Sequence, residues 1–485
     1  MAIQKCQSTY TAIVLELFNV VVKTSLNELT VVPHLTYQSL ICCSSTLQFQ
    51  RNEISYAEYQ RRLEAEWDLA PNVIDTMFAQ VRGTMTVNTE LLEQLRGLKT
   101  MMGGRLQIYA VSNASEKDHA YMRSLPVDWT IFDHIFTSTE MRMRKPELRC
   151  FRHVLQSISK SPHELIFIDT EPENVLTAQS LGMKGIKPKS AAEIEPILHN
   201  LLLDPLPRAR SFLQQNAKRL HSICENGAIM KENFAQLLIL EATGDKSLIE
   251  LEHKHPSSST WNFFIGTPLF TKSDFPDDLD TTSMATTVLG LEEKQAHRLL
   301  DRMLQYINQD GLISTFFTDR KNRVDPVVCV NVLALFYTYD RGYELAPTLE
   351  WIRQVVIKRA YLHGTPFYPN PEQFLFFLGR LLRHVSHLGG IFDELRQLLR
   401  ERLKERLGLP ADPIALVMRL ITCNEMGIRD ARGMKRLLDM QCVDGGWEPG
   451  AMYTYASKNI SIGNRGVSTA FAISAIEGYR ERFQM

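Results

Sequence analysis

Three stretches of the chain are nearly unbroken runs of apolar residues that stop at a polar turn: Thr11–Leu17, Leu106–Val111 and Leu165–Ile168. Between them, apolar positions recur every three to four residues, as in Thr89–Leu98 and Glu147–Ile158. Buried runs alternating with amphipathic helices predict a doubly wound α/β domain over residues 1–204, with a parallel sheet and crossover helices. The segment 25–87 has helical patterning throughout and interrupts the alternation, as an inserted cap does. After Asp204 strand-like runs become rare. Glu293–Ile307, Val327–Tyr339, Glu372–His384, Leu395–Leu407 and Ala415–Glu425 all have helical periodicity, so residues 205–485 are predicted to be an all-α domain. The proline-containing stretch Asp204–Arg208 marks the expected boundary.

Composition narrows the function. Lys and Arg number 54 against 55 Asp and Glu, a formal charge of -1, which gives no reason to expect a nucleic-acid partner or an anionic membrane surface. The eight cysteines are scattered without a CxxC spacing and are expected to be reduced thiols of a cytoplasmic protein. The apolar start from Thr11 to Val22 is broken by Glu16 and Asn19, so it is not expected to act as a signal peptide. No run of eighteen apolar residues occurs, so no membrane span is expected.

Four elements stand in order at predicted strand ends or turns. They are Val14-Leu15-Glu16-Leu17-Phe18-Asn19, Val111-Ser112-Asn113, Arg144-Lys145-Pro146-Glu147 and Ile168-Asp169-Thr170-Glu171-Pro172-Glu173-Asn174. The set resembles the haloacid dehalogenase superfamily over roughly residues 1–200. That resemblance implies that Ser112 and Asn113 hold a phosphoryl oxygen, Lys145 neutralises phosphate charge and Asp169 binds magnesium. Glu16 stands where the superfamily has its nucleophilic Asp, and Phe18 replaces the acid two residues on. Covalent phosphoryl transfer needs both roles in tight geometry, so hydrolysis by that route is not expected. Two outcomes stay open. The domain serves only as a docking partner, or it keeps a site where Ser112, Asn113 and Lys145 contact a diphosphate and Asp169, Glu173 and Glu16 hold Mg²⁺. Asp169 and Glu173 also form a D-x-x-x-E spacing similar to a degraded metal motif of ionising terpene synthases. The helix dipole alone also favours acids at that position.

In the second half, Asp277-Asp278-Leu279-Asp280-Thr281-Thr282 lies between the aromatic segment Trp261-Asn262-Phe263-Phe264 and a helix predicted from Ser283. Its D-x-D-T-T resembles the D-x-D-D loop of class II terpene cyclases. Protonating an isolated double bond needs a carboxylic acid that is neutral beforehand, dry and held in orientation. Asp280 is the candidate acid, with Asp278, Thr281 and Thr282 expected to hydrogen-bond to it. The plainer reading of the same residues is a helix N-cap. Gln441-Cys442-Val443-Asp444-Gly445-Gly446-Trp447 resembles the QxxDGxW repeat of triterpene cyclases, a scaffold motif of α/α barrels, and Gln309-Asp310-Gly311 is a poorer copy without the Trp. Phe316, Phe317, Tyr337, Phe367, Tyr368, Phe374, Phe376, Phe377 and Tyr455 are candidate cation-stabilising rings, most of them expected in the core.

A haloacid dehalogenase-like domain with a helical cap followed by a D-x-D-T-T α/α-barrel domain resembles drimane-type sesquiterpene cyclases of fungi and bacteria. The resemblance implies farnesyl diphosphate as substrate, a bicyclic drimane-type product (drimenyl or albicanyl type), Mg²⁺ as cofactor and a separate phosphatase acting on the product. Arg320, Lys321 and Arg323 are candidate diphosphate ligands. Two alternatives stay open: a bifunctional cyclase–phosphatase releasing drimenol or albicanol, and a non-catalytic helical binding protein.

Overall fold

The computed structural model describes residues 9–318, 323–455 and 460–483; Arg320 and Lys321 lie outside them. Its contacts divide the chain into two units, Met1–Asp204 and Pro205–Met485.

The first unit is built on a five-stranded parallel sheet. Its strands run in the order His134–Thr137, Gln107–Ser112, Ala12–Leu15, Leu165–Ile168, Lys184–Ile186. Alternate residues serve opposite faces, as a period of two requires. Ile13, Leu15, Ile108, Ala110, Ile166 and Ile168 pack on one side. Ala12, Val14, Tyr109, Val111, Leu165 and Phe167 pack on the other. Helices cover both faces, so the central strands are apolar throughout. The first strand ends at Leu15, short of the predicted Leu17, because the chain turns at Glu16. The edge strands His134–Thr137 and Lys184–Ile186 were not predicted: they carry polar residues or glycine and lack the unbroken apolar run that marks the equally short Leu165–Ile168.

Residues 25–87 form the cap, with helices His34–Cys42, Ser44–Gln50, Tyr56–Glu66 and Val73–Gly83. They close on a core of their own around Leu40, Tyr59, Leu63, Ile74 and Met77. Antiparallel pairing of Val22–Lys23 with Thr86–Val87 brings the entry and exit of the cap together.

The second unit is a closed ring of six helices. Asn233–Thr243, Leu279–Leu289, Pro326–Thr338, Pro371–His384, Pro413–Glu425 and Arg465–Phe483 each pack on the next, and the last returns to the first. These helices are covered on all sides, which explains why Val327–Phe336 is buried residue after residue. Outer helices such as Glu293–Leu304, Ala346–Lys358 and Ile391–Arg406 bury one face only. A four-stranded antiparallel sheet accompanies the ring, in the order Tyr453–Tyr455, Ile460–Gly463, Ser222–Cys224, Ile229–Met230. Its strands, of two to four residues with polar positions among them, carry no pattern that announces them in the sequence.

The QxxDGxW segment joins ring helix Arg465–Phe483 to outer helix Ala431–Asp439. Trp447 is fully buried; its indole Nε1 donates to Leu437 O at 2.8 Å and its backbone N–H to Thr469 Oγ1 at 3.1 Å. Gln441 Nε2 donates to Pro205 O, and Arg465 pairs with Asp444. Gly445 has φ +91°, and a Cβ there would stand 2.4 Å from Arg208 O, so only glycine fits. The poorer copy makes a turn closed by Gly311 N donating to Asn308 O, and Thr348 Oγ1 donates to Gly311 O. Among the described residues no helix is long and apolar enough to cross a membrane.

Candidate active site

Asp280 sits in the first turn of ring helix Leu279–Leu289, and Asp278 is the N-cap of that helix. The loop is pinned on both sides. Asp278 N donates to Trp261 O, and Leu279 N donates to Thr315 O. This places the two carboxyls on a cavity of about 280 Å³ at the N-terminal end of the ring helices. Eight aromatic rings line it: Phe234, Phe263, Phe264, Phe275, Phe316, Phe367, Tyr368 and Tyr453. Several meet edge to face, Phe264 with Phe275 at 5.1 Å, Phe275 with Phe316 at 5.6 Å and Phe316 with Phe367 at 6.1 Å.

Asp280 is buried, 7% exposed, and each of its oxygens accepts one hydrogen bond. Asn331 Nδ2 donates to Oδ1 at 2.8 Å, and the Tyr368 hydroxyl donates to Oδ2. Burial pushes its pKa up to about 7, and the bonds from Tyr368 and Asn331, which favour the charged form, hold it from rising further. The carboxyl is therefore available as a neutral acid near pH 7. Because Asp280 is in the first turn, the helix dipole favours the carboxylate that remains after proton loss.

The partners expected from the loop itself do something else. Asp278 Oδ1 accepts from Thr281 N at 2.6 Å, the N-cap arrangement, because the first backbone N–H groups of a helix lack partners. Thr282 Oγ1 accepts from Trp261 N at 2.9 Å and so fixes the loop to the aromatic segment. Asp280 is held instead by Asn331, from ring helix Pro326–Thr338, and by Tyr368, just before ring helix Pro371–His384. Asp325 sets the second of these. Its carboxylate accepts from Val327 N at 2.8 Å and Phe367 N at 3.1 Å, tying the Tyr368 segment to the next helix start.

Of the nine aromatics singled out in the sequence, Phe316, Phe367 and Tyr368 reach the cavity. Phe374 stacks on Tyr361, Phe376 packs on Phe471, Tyr337 on Phe392 and Phe317 on Tyr306, and Phe377 backs Tyr368 at 5.6 Å. The side chain of Tyr455 lies outside the described residues. Arg323 is the single cation among the lining residues described.

In the first unit the superfamily motifs also converge. Lys145 is fully buried, with Nζ donating to Asp169 Oδ2 at 2.6 Å and to Glu16 Oε2. Burial works against its charge, but Glu16 and Asp169 outweigh burial and hold its pKa above the ordinary lysine value. Glu16 Oε1 accepts from Leu17 N, Phe18 N and Ser112 Oγ, at 2.7, 3.1 and 2.6 Å. Asn174 Nδ2 donates to Asp169 Oδ2 and Glu171 N to Asp169 Oδ1. Asn113 bonds both backbone groups of Lys145. Glu173, by contrast, is exposed on the first turn of Pro172–Ser180 and does not join Asp169. Among the described residues no group of three or more His, Cys, Asp or Glu is placed to hold a metal. All four oxygens of Glu16 and Asp169 already accept hydrogen bonds, and the Lys145 ammonium bridges the two carboxylates, so a magnesium ion bridging them would have to displace it.

Residues 206–339 match the family model described as the sesquiterpene cyclase astC-like C-terminal domain. The drimenol cyclase drtB of Aspergillus calidoustus is 38% identical over 431 residues, 89% of this chain and 81% of that protein. The chain belongs to the drimane-type sesquiterpene cyclases fused to a haloacid dehalogenase-like domain. The cyclase is also 34% identical, over 139 residues, to the sesquiterpene phosphatase astK of Aspergillus oryzae, which covers 29% of this chain and 69% of that one. A solved HAD family enzyme, bt-2542 of Bacteroides thetaiotaomicron in complex with magnesium and inorganic phosphate, is 19% identical with a TM-score of 0.32, over 37% of this chain and 95% of that one. The terpene cyclase thus carries its aromatic cavity in the C-terminal unit and its superfamily motifs, without the nucleophilic Asp, in the N-terminal unit.

Proposed function

We propose that the enzyme takes farnesyl diphosphate and starts its cyclisation by protonating the terminal double bond from Asp280. The observation that carries this reading is the Asp280 carboxyl, pushed up to about 7, on a cavity walled by eight aromatic rings. The proton adds to the C–H carbon of that double bond. Two further π pairs close the rings in turn, and loss of a proton beside the final tertiary cation forms the product double bond. The substrate and product are isomers. Facing rings each stabilise a passing cation by roughly 1–2 kcal/mol when desolvated. Arg323, on the same wall, is the candidate to meet the diphosphate.

The diphosphate stays on the product. Protonation-initiated cyclisation does not break the C–O bond, and hydrolysis would need a second competent site. In the first unit the nucleophile position is Glu16, whose carboxylate is occupied by Ser112, Lys145 and two backbone N–H groups. The product is a drimane-type diphosphate for a separate phosphatase. The bifunctional alternative draws on the printed names of the two Aspergillus relatives. Purified enzyme incubated with farnesyl diphosphate and Mg²⁺ and analysed directly by mass spectrometry is expected to give a bicyclic diphosphate, with alcohol appearing only after added phosphatase. Free alcohol formed at the rate of substrate loss, and absent in Asp169→Ala, would make the first unit a working hydrolase.

The acid also fixes a pH dependence. The neutral form of Asp280 dominates below about pH 7, so turnover falls as pH rises through that value. The Tyr368 hydroxyl favours the carboxylate, so Tyr368→Phe raises the Asp280 pKa and moves the fall to higher pH. A kcat–pH profile that stays in place or moves down would remove Tyr368 from this role.

A further inference from the structure

One buried charge in the second unit has no part in the chemistry above. Arg380, on ring helix Pro371–His384, is 1% exposed. Its Nε donates to Glu241 Oε1 at 2.8 Å, on ring helix Asn233–Thr243. Its Nη2 donates to Thr287 Oγ1 at 2.6 Å, on the helix that carries Asp280. Nη1 is buried and has no hydrogen-bond partner among the described residues. Thr287 follows Asp280 by seven residues, two turns, so both lie on one face of the helix, about 10 Å apart along it. The guanidinium is thus anchored deeper in the ring than Asp280, away from the N-terminal end where the cavity lies. Met284 stands between Asp280 and Thr287 on that face and is fully buried, so little solvent screens the two charges from each other.

A tie between helices does not account for this arrangement, because taking a charge out of water is costly unless a partner is buried with it. Arg419, as deeply buried, has such a partner in Glu372. The partner of Arg380 reaches solvent, which screens it, while the unmatched Nη1 stays inside. Neighbouring charges do not cancel it. Arg383 pairs with Glu425, and burial, with the Arg380 charge second, pushes the His384 pKa down to about 4, so that ring is neutral. At the other end, burial raises Tyr368, Tyr453 and Cys329, which stay neutral, and the Asp278 carboxyl. Asp277 is held by Thr260 and Asn262, Arg323 lines the cavity, and burial pushes Glu232 up to about 7. After burial and the bonds from Tyr368 and Asn331, the Asp325 charge lifts the Asp280 pKa and Arg380 lowers it.

We propose that Arg380 is a positioning residue for cyclisation: a fixed positive charge inside the ring that stabilises the Asp280 carboxylate as its proton leaves for carbon, and that favours movement of the substrate's cation outward along the cavity. The proposal rests on Asp280 being the acid. Arg380 touches neither substrate nor acid. It acts through Asp280, and its distance keeps it from quenching the acid as a direct ion pair would.

The kcat–pH profile of the full-length enzyme with farnesyl diphosphate tests this. Arg380→Gln removes the charge and keeps a donor for Thr287. The Asp280 carboxylate loses a stabilising cation, so the fall in kcat is expected to move up by roughly 0.5–1 pH unit. Below that fall kcat is expected to drop about three- to tenfold, because the acid is weaker, with KM within about twofold of wild type. Glu241→Gln removes the counter-charge, and the fall is expected to move the other way, by a smaller step. Arg380→Lys restores the charge and is expected to bring the fall back toward its wild-type position. A profile that stays in place or moves down in Arg380→Gln, a Lys variant no different from Gln, or an upward shift in Glu241→Gln would overturn the proposal. Should Arg380→Gln fail to fold, Glu241→Gln decides: a downward shift supports the role and an unmoved profile overturns it. Asp280→Asn run alongside keeps the two ideas apart. Retained turnover there defeats the acid assignment itself, whereas lost turnover with an unmoved Arg380→Gln profile defeats only the role of Arg380.

Discussion

Asp280→Asn is expected to abolish cyclisation in a protein that still folds. The amide is isosteric and keeps contacts with Asn331 and Tyr368 after local reorientation, so the ring helices need not move. What it loses is a proton of useful acidity. General acid catalysis contributes typically ~10²–10⁴ in rate, and protonation of an unactivated alkene belongs at or beyond the upper end. Turnover within tenfold of wild type, in a variant with unchanged thermal unfolding, would exclude Asp280 as the donor.

The second large effect is on stability. Trp447 is fully buried and is not among the residues lining the cavity. Trp447→Ala removes its packing and leaves Leu437 O without the indole donor. Large-to-small changes of this kind cost about 3–5 kcal/mol. We expect a pronounced drop in the unfolding temperature of the cyclase unit, with turnover per folded molecule nearly unchanged. A variant of normal stability but lost activity would instead give Trp447 a direct part in the chemistry.

The fold class was legible because each unit has a clear period. Alternation of apolar runs with 3.6-residue patterns points to the parallel sheet, and consecutive amphipathic stretches point to the helical ring. Short strands without an unbroken apolar run escaped, and with them Tyr453, which reaches the cavity on such a strand. The D-x-D-T-T spacing singled out Asp280 as the candidate acid, but the partners of Asp280 were not legible. Asn331 lies 51 residues away and Tyr368 88, and only ring closure brings them together. One signal was present. Asn331 is the lone strongly polar residue in Val327–Phe336, and an amide in such a run must find a buried partner. Helix starts left a second trace, since Asp325-Pro326, Asn370-Pro371 and Asp412-Pro413 open three of the six ring helices. In the first unit the motif order showed where Glu16, Ser112, Lys145 and Asp169 meet. That the lysine would occupy both carboxylates depends on side-chain reach, which spacing does not encode.

If Asp280 starts the reaction, the proton delivered to carbon comes from a group that exchanges with solvent. The direct measurement is the farnesyl diphosphate incubation run in D₂O, with deuterium located in the product by mass spectrometry and NMR. One deuterium per molecule is expected, on the ring carbon next to the gem-dimethyl carbon, with the diphosphate still attached. A bicyclic product free of deuterium, formed with release of inorganic diphosphate, would contradict it.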